Sequence, residues 1–252
     1  MMYALIGERL GHSYSKIIHN RLGNGGYELI ELAPDEVAPF LKKADFRGIN
    51  VTIPYKETVM PFCELDESAV QVGSVNTIIN RDGTLLGYNT DVFGFSYMAR
   101  RAGITFDGKK VLILGSGGTA KTARYVISQN NAAEIVTISR GGDKNYGNIA
   151  EFYDFDIIVN TTPVGMYPNV NAAPVSLREF SKLSGVIDVI YNPPRTLLTR
   201  QAEKLGIINT NGLPMLAAQA VYAHKLFFDQ PFDFTGGQDL IEGIIKQWED
   251  IS

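Results

Sequence analysis

Three small residues at a fixed spacing carry the most specific chemistry in the sequence. Gly115, Gly117 and Ala120 follow a short aliphatic run and open a helical pattern. The first glycine permits a tight turn, the second lets the backbone approach a pyrophosphate, and the small third residue permits close helix–sheet packing. The N–H groups at the helix start then face an anion. The spacing also occurs in structural turns, but this strand–loop–helix context favours a dinucleotide site.

The residues after the next predicted strand indicate which dinucleotide is bound. Ser139 and Arg140 stand there, with Lys144 close behind. Folds that prefer NAD usually carry Asp or Glu at this place to hold the ribose 2′-hydroxyl, whereas an arginine suits the 2′-phosphate of NADP. A solvated pair of surface cations is the alternative. The sequence therefore predicts NADP(H) as the cofactor, with Arg140 supplying most of the preference.

Polar residues also interrupt the first third of the chain. Ser13 and Ser15 flank a helix start, Lys56 follows an apolar run, and Asn76 and Asp91 lie near strand or helix ends. Read singly, the lysine and the aspartate are most often solvated surface charges. Ser15 is most often an ordinary helix N-cap. No single one of these residues predicts a site.

The elements that must position these residues alternate short β-branched runs with helical patterns. In the first third we expect strands at 3–6, 27–31, 48–53 and 75–79, and helices at 15–22, 35–43 and 91–102. Asp91 is the expected N-cap of the last of these helices, which Gly103 should end.

From residue 110, aliphatic runs alternate more regularly with helical patterns, which is typical of a parallel sheet buried on both faces. The expected strands are 110–114, 135–139, 156–160, 186–190 and 207–209, with a helix at 119–129. The last forty residues hold two helical patterns. One has Ile241, Ile244, Ile245 and Trp248 on a single face, which we expect to pack in a core.

The composition restricts the class of protein. The 252 residues carry 27 acids and 23 bases, a net charge of -4, which argues against a nucleic-acid surface. No apolar run approaches the roughly 18 residues of a membrane helix, and no secretory signal is visible. A single cysteine, Cys63, and three histidines leave little material for a zinc site. We therefore expect a cytoplasmic protein with no metal, although a metal bound by carboxylates stays open.

Considered together, the motifs resemble the shikimate dehydrogenase family over nearly the whole chain. The matching pieces are HSYSKIIHN, NVTIPYKE, GSVNT, GYNTDVFGF, LILGSGGTAK, NTTPVGMYP and NGLPMLAAQA. The resemblance implies an α/β fold of two α/β domains: a substrate-binding domain, 1–91 completed by C-terminal helices in 213–252, and a Rossmann-type NADP-binding domain, 92–212. It implies NADPH-dependent, reversible reduction of 3-dehydroshikimate to shikimate in aromatic amino-acid biosynthesis.

Residue roles follow from the resemblance, motif by motif. Lys56 and Asp91 match the catalytic pair: the lysine would act as general acid/base on the ketone oxygen, and the aspartate would orient it. The residues that match the substrate site are Ser13, Ser15, Thr52, Asn76, Tyr191 and Gln219. Those that match the cofactor site are Gly115, Ser116, Gly117, Gly118, Thr119, Ala120, Ser139, Arg140, Lys144, Thr161 and Gly212.

The chain departs from the family pattern at three places. Lys16 replaces the proline that usually follows the second serine, and residues 7–10 read Gly-Glu-Arg-Leu where Gly-x-Pro-Ile/Leu is usual. Ser139-Arg140-Gly141 replaces Asn-Arg-Thr. Two other functions stay open: a quinate/shikimate dehydrogenase with relaxed cofactor use, or a non-catalytic NADP- or metabolite-binding module. We expect shikimate or 3-dehydroshikimate as the small-molecule partner and a monomer or homodimer.

Overall fold

The computed structural model describes residues 2–11, 13–230 and 234–249. The chain divides into two compact units, Met1–Asp91 with Ala217–Gln247, and Val92–Leu216 with the residues from Trp248 onward. The second boundary lies a few residues beyond the predicted position, within a helix, Leu213–Phe227. Parts of the C-terminal segment predicted for the first domain, 231–233 and 250–252, lie outside the described residues.

A six-stranded mixed sheet forms the centre of the first unit, in the order β2-β1-β3-β5-β6-β4. Its strands are β1 Met2–Gly7, β2 Tyr27–Glu31, β3 Phe46–Val51, β4 Glu64–Leu65, β5 Thr77–Arg81 and β6 Thr84–Tyr88. β1 is parallel to both β2 and β3. β5 is antiparallel to β3, and β6 is antiparallel to β5.

The sequence reading missed β4 and β6. β5 and β6 form a hairpin whose two connecting residues, Asp82 and Gly83, both have positive φ (51° and 94°). A two-residue turn with positive φ at both positions matches the right-handed twist of the flanking strands, and Asp-Gly is among the sequences that adopt it most readily. This dipeptide between two largely apolar runs was the signal that would have predicted β6.

Eight α-helices are described. They are α1 Ser15–Arg21, α2 Val37–Lys43, α3 Glu67–Val72, α4 Asp91–Arg101, α5 Gly118–Ser128, α6 Leu197–Lys204, α7 Leu213–Phe227 and α8 Phe234–Glu249. One capping prediction was wrong, because Asp91 is the first helical residue of α4 rather than its N-cap. Tyr14 is the N-cap of α1, so the alternative interpretation of Ser15 as an ordinary N-cap does not hold. α4 stops where predicted, since Gly103 adopts a left-handed φ of 71°.

The second unit contains the predicted parallel sheet, in the order β11-β10-β9-β7-β8. Its strands are β7 Lys110–Leu114, β8 Glu134–Ile138, β9 Ile157–Asn160, β10 Gly185–Asp188 and β11 Ile208–Thr210. Alternate residues of β7 enter two separate apolar cores: Val111 and Ile113 one, Leu112 and Leu114 the other. The sheet is therefore buried on both faces, as the continuous aliphatic runs predicted.

The C-terminal helix also agrees with its pattern. Ile241, Ile244 and Ile245 of α8 are buried, which confirms a core-packing face. Within the described residues, no helix combines the length and apolarity needed to cross a bilayer.

Candidate active site

The directions of the strands in the first sheet bring four polar segments to one edge. Ser13 and Ser15 follow β1, and Thr52 and Lys56 follow β3; because these strands are parallel, both segments leave at the same edge. β5 runs in the opposite direction, so Asn76, which directly precedes it, lies at that edge too. β6 reverses again and delivers the start of α4 there. Polar groups that are distant in the chain are thereby collected at one place.

The closest contact at this edge joins Lys56 and Asp91. Lys56 Nζ donates to Asp91 Oδ2 at 2.6 Å, and the two side chains are 17% and 10% exposed. The Lys56 carbonyl also accepts from the Val75 N–H at 2.8 Å, which ties this turn to the residue before Asn76. A paired ammonium that keeps some exposure can meet a ligand oxygen and donate a proton to it.

Hydrogen bonds orient the Asn76 side chain. Asn76 Oδ1 accepts from the Thr90 N–H at 2.7 Å, and the Thr90 and Thr77 hydroxyls lie 3.1 and 3.2 Å away. Its backbone carbonyl accepts from the Val51 N–H at 2.8 Å, directly before Thr52. Among the described residues Asn76 Nδ2 has no hydrogen-bond partner, so this donor is available to a ligand hydroxyl.

The two serines lie close to each other. The Ser15 N–H donates to Ser13 Oγ at 3.3 Å, and the Ser13 N–H donates to the Leu10 carbonyl at 2.9 Å. Within the described part of the chain, the Ser15 hydroxyl has no partner. Both serines are partly exposed, so two hydroxyls are available at the start of α1. Gln219 is half-buried on α7, in the same unit.

A buried polar network behind this edge was not predicted. Tyr27 Oη donates to Asn50 Oδ1 at 2.7 Å, and Asn50 Nδ2 donates to Thr77 Oγ1 at 3.0 Å and to the Asn76 carbonyl at 3.3 Å. These groups hold Asn76 and Thr77 from within the sheet. An asparagine inside the apolar run of β3 was the only sequence signal, because a buried polar side chain normally needs partners.

The second unit places its predicted residues at the carboxyl edge of the parallel sheet. The glycine loop follows β7, Ser139 and Arg140 follow β8, and Thr161 follows β9. Tyr191 comes after β10, and Gly212 after β11. Ligands of open parallel sheets bind in the crevice outside the carboxyl ends of the strands. All segments predicted for the cofactor are therefore at the edge where such a ligand binds.

The geometry of the glycine loop fits a pyrophosphate. Gly115 has a φ of 108°, and a Cβ atom there would lie 2.6 Å from Thr161 Oγ1. The space around Gly117 is open, since a Cβ atom there would meet no atom within 4 Å. Gly117 is the N-cap of α5 and provides no side-chain cap, so the first N–H groups of the helix are open to an anion. Ala120 is buried in the core, as close helix–sheet packing requires.

The turn after β8 presents two cations. The Ser139 N–H donates to the Lys144 carbonyl at 3.2 Å, which closes the turn around Arg140. Arg140 and Lys144 are exposed. Lys144 Nζ lies 5.7 Å from the centre of the Phe152 ring, a contact that limits the freedom of its side chain. Two positive charges on one short turn can bind a phosphate monoester.

Thr161 and Gly212 are held tightly by backbone contacts. Thr161 Oγ1 donates to the Leu114 carbonyl at 2.7 Å and so contacts the strand that leads into the glycine loop. The Gly212 N–H donates to the Ile190 carbonyl at 2.9 Å, and a Cβ atom at Gly212 would overlap the Val189 carbonyl. Only glycine fits at this position without a backbone shift. Tyr191 is half-buried directly after Ile190.

Comparison with known proteins gives consistent results. The family model described as shikimate dehydrogenase substrate binding domain matches residues 5–78. The shikimate dehydrogenase (NADP(+)) of Clostridium perfringens is 35% identical over 96% of this chain and 97% of its own length. The crystal structure of shikimate dehydrogenase 1 from Peptoclostridium difficile has a TM-score of 0.86 and 33% identity, covering 98% of both chains. The Thermus thermophilus shikimate 5-dehydrogenase, solved with NADP(H) and shikimate, has a TM-score of 0.84 at 26% identity, covering 97% of this chain and 100% of that one.

Proposed function

Since the chain belongs to the shikimate dehydrogenase family of NADP-dependent oxidoreductases, we propose that it reduces 3-dehydroshikimate to shikimate, reversibly and with NADPH, in aromatic amino-acid biosynthesis. The observation that best supports the proposal is the 2.6 Å pair of Lys56 and Asp91 beside an oriented Asn76. Reduction of a ketone requires a proton donor beside the oxygen, and this pair supplies one.

In this proposal the substrate is held from several directions. The hydroxyls of Ser13 and Ser15 donate to its carboxylate, which needs hydrogen-bond donors rather than a dedicated arginine. Asn76 Nδ2, the Thr52 hydroxyl and the Gln219 amide bind the substrate hydroxyls. Tyr191 is a further substrate contact that the family resemblance implies. Many polar contacts to a small rigid ring fix the ketone beside Lys56.

Lys56 transfers the proton, and Asp91 positions Lys56. The reduction takes its hydride from the bound nicotinamide, and the carbonyl oxygen gains negative charge as the new C–H bond forms. The Lys56 ammonium stabilises that charge and donates a proton to the oxygen, giving the alcohol and a neutral amine that regains a proton from water. Asp91 accepts a hydrogen bond from Lys56 and keeps Nζ in position. In the reverse direction the neutral Lys56 amine accepts the hydroxyl proton.

The cofactor residues have separate tasks. The backbone of residues 115–119 and the Ser116 and Thr119 hydroxyls would hold the pyrophosphate, with Ala120 keeping the helix close to the sheet. Arg140 and Lys144, on the turn that begins at Ser139, would bind the 2′-phosphate. Thr161 and Gly212 would line the rest of the site.

We also propose that the protein is cytoplasmic and is a monomer or homodimer whose partners are small molecules. The substrate-binding domain would comprise residues 1–91 and 213–252, and the NADP-binding domain residues 92–212.

Paired assays test the proposed function. The purified protein is incubated with shikimate or quinate, each with NADP or NAD, and formation of the reduced cofactor is followed by absorbance. We expect rapid reduction of NADP with shikimate and much slower reactions in the other three mixtures. Comparable rates with quinate and NAD would instead indicate the relaxed quinate/shikimate enzyme. No reduction in any mixture, with NADP still bound, would indicate a binding module.

A further inference from the structure

A fully buried carboxylate lies at the carboxyl end of β10 and has no part in the mechanism above. Asp188 is 0% exposed. Burial raises the pKa of its carboxyl to about 6, and the hydrogen bonds it accepts act in the opposite direction. A buried charge is costly unless donors surround it, so its partners are informative.

Three donors from three different segments converge on this carboxylate. Asn160 Nδ2 donates to Oδ1 at 3.0 Å, the Ile190 N–H donates to Oδ1 at 3.2 Å, and the Thr196 hydroxyl donates to Oδ2 at 2.7 Å. Asn160 ends β9, Ile190 lies just beyond β10, and Thr196 is the N-cap of α6. One side chain thereby links the ends of two neighbouring strands and a helix start.

The link through Asn160 leads to the glycine loop. Asn160 Oδ1 accepts from the Thr162 N–H at 3.0 Å and from its hydroxyl at 2.7 Å, which fixes the turn that contains Thr161. The Thr161 hydroxyl donates to the Leu114 carbonyl and would lie 2.6 Å from a Cβ atom at Gly115. Asp188 is thereby connected to the start of the glycine loop through Asn160 and the turn of residues 160–162.

The link through Ile190 leads to Gly212. The Ile190 N–H is bound by Asp188, and the Ile190 carbonyl accepts from the Gly212 N–H. A Cβ atom at Gly212 would overlap the Val189 carbonyl, so Gly212 lies closely against residues 189 and 190. Asp188 and Gly212 are thereby joined through the two backbone hydrogen bonds of Ile190.

We propose that Asp188 is a positioning residue for cofactor binding, which holds Thr161 and Gly212 at a fixed spacing through Asn160 and Ile190. The inference rests on the proposed function, since it assigns Asp188 to the same NADPH site. Asp188 would touch neither the cofactor nor the substrate. Its two carboxyl oxygens accept three hydrogen bonds at once, which an apolar residue at this place cannot do.

The test compares the Kd for NADPH, measured by cofactor fluorescence without substrate, in three variants. Asp188→Ala should raise the Kd more than about tenfold, since misplacement of binding groups by an ångström is costly. Asp188→Asn keeps an acceptor for Asn160 and Ile190 and should raise the Kd about threefold. The control is Phe180→Ala, a core truncation in the same unit, where Phe180 packs against Tyr153.

Thermal unfolding is measured on the same samples to separate positioning from loss of stability. A Kd for Asp188→Ala within twofold of the Phe180→Ala value, at a similar fall in Tm, would overturn the proposal. If Asp188→Ala does not fold, Asp188→Asn decides alone, and a Kd equal to that of the wild type would overturn it. The ratio of the Kd values for NADPH and NADH should stay constant; a change confined to NADPH would also contradict positioning through Thr161 and Gly212. A wild-type protein that binds no NADPH would contradict the proposed function itself.

Discussion

Lys56 Nζ and Asp91 Oδ2 lie 2.6 Å apart, although 35 positions separate the two residues in the chain. Lys43 and Asp45 form another Lys–Asp pair of the same unit, 3.5 Å apart, with side chains 77% and 66% exposed. Burial therefore distinguishes a pair that can act on a ligand from one that is solvated. This contrast provides the matched control for the first prediction.

Replacing Lys56 with alanine should lower kcat by about 10² to 10⁴ with a modest change in KM, because proton transfer by Lys56 matters in the transition state rather than in substrate binding. Steady-state kinetics with shikimate and NADP measures both constants. Lys43→Ala removes the same charge from an exposed pair and should leave kcat within about twofold. Full kcat in the Lys56 variant would end its assignment as the general acid/base.

Replacing Arg140 with alanine should lower kcat/KM for NADPH by about ten- to a hundredfold, since charge-assisted hydrogen bonds to the 2′-phosphate are lost. The value for NADH, which lacks that phosphate, should hardly change. Arg178→Ala, the loss of an exposed arginine elsewhere in the unit, serves as the control and should affect neither cofactor. An equal fall in kcat/KM with both cofactors would show that Arg140 does not bind the 2′-phosphate.

Replacing Ser13 or Ser15 with alanine should raise KM for shikimate by about tenfold or more, because each hydroxyl donates to the substrate carboxylate. We expect kcat to change much less. The methyl ester of shikimate should show a smaller difference between variant and wild type, since its carboxyl group carries no charge. If KM rises by the same factor for the ester and for the acid, the serines do not bind the substrate carboxylate.

Acid should destabilise the first unit through His19. Burial, and then the nearby His224, lower the pKa of His19 to about 3, and its ring stacks on Tyr27 at 4.1 Å. The unfolded chain then binds the proton more readily than the folded one, so stability is full above pH 6.5 and is lost as the pH falls toward 3. Between pH 7.5 and pH 5, protonation of His19 alone should lower the free energy of unfolding by about 2 kcal/mol.

Urea unfolding of wild type and His19→Phe at both pH values checks this prediction. Phenylalanine keeps a ring that can stack on Tyr27 but cannot take up a proton. Acidification should therefore lower the free energy of unfolding of the variant by about 2 kcal/mol less than that of the wild type. Identical losses in the two proteins would show that His19 is not buried in its neutral form.

The sequence by itself determined the features that depend on local pattern. The aliphatic runs of 110–114 and 186–190 predicted strands buried on both faces, and the loop from Gly115 to Ala120 predicted a tight turn into a helix. These predictions are correct because apolar periodicity and glycine conformation depend on only a few neighbouring residues. The roles of Lys56 and Asp91 came only from the family resemblance, since a lysine and an aspartate carry no local signal of burial.

Tertiary structure decided which of these residues meet. The reversal at Asp82 and Gly83 sends β6 back toward the edge where Lys56 leaves β3, and only this antiparallel hairpin brings Asp91 within 2.6 Å of it. The convergence of Asn160, Ile190 and Thr196 on Asp188 likewise depends on how neighbouring strands and a helix start are aligned. Such contacts depend on strand order and register, which arise from packing between segments far apart in the chain.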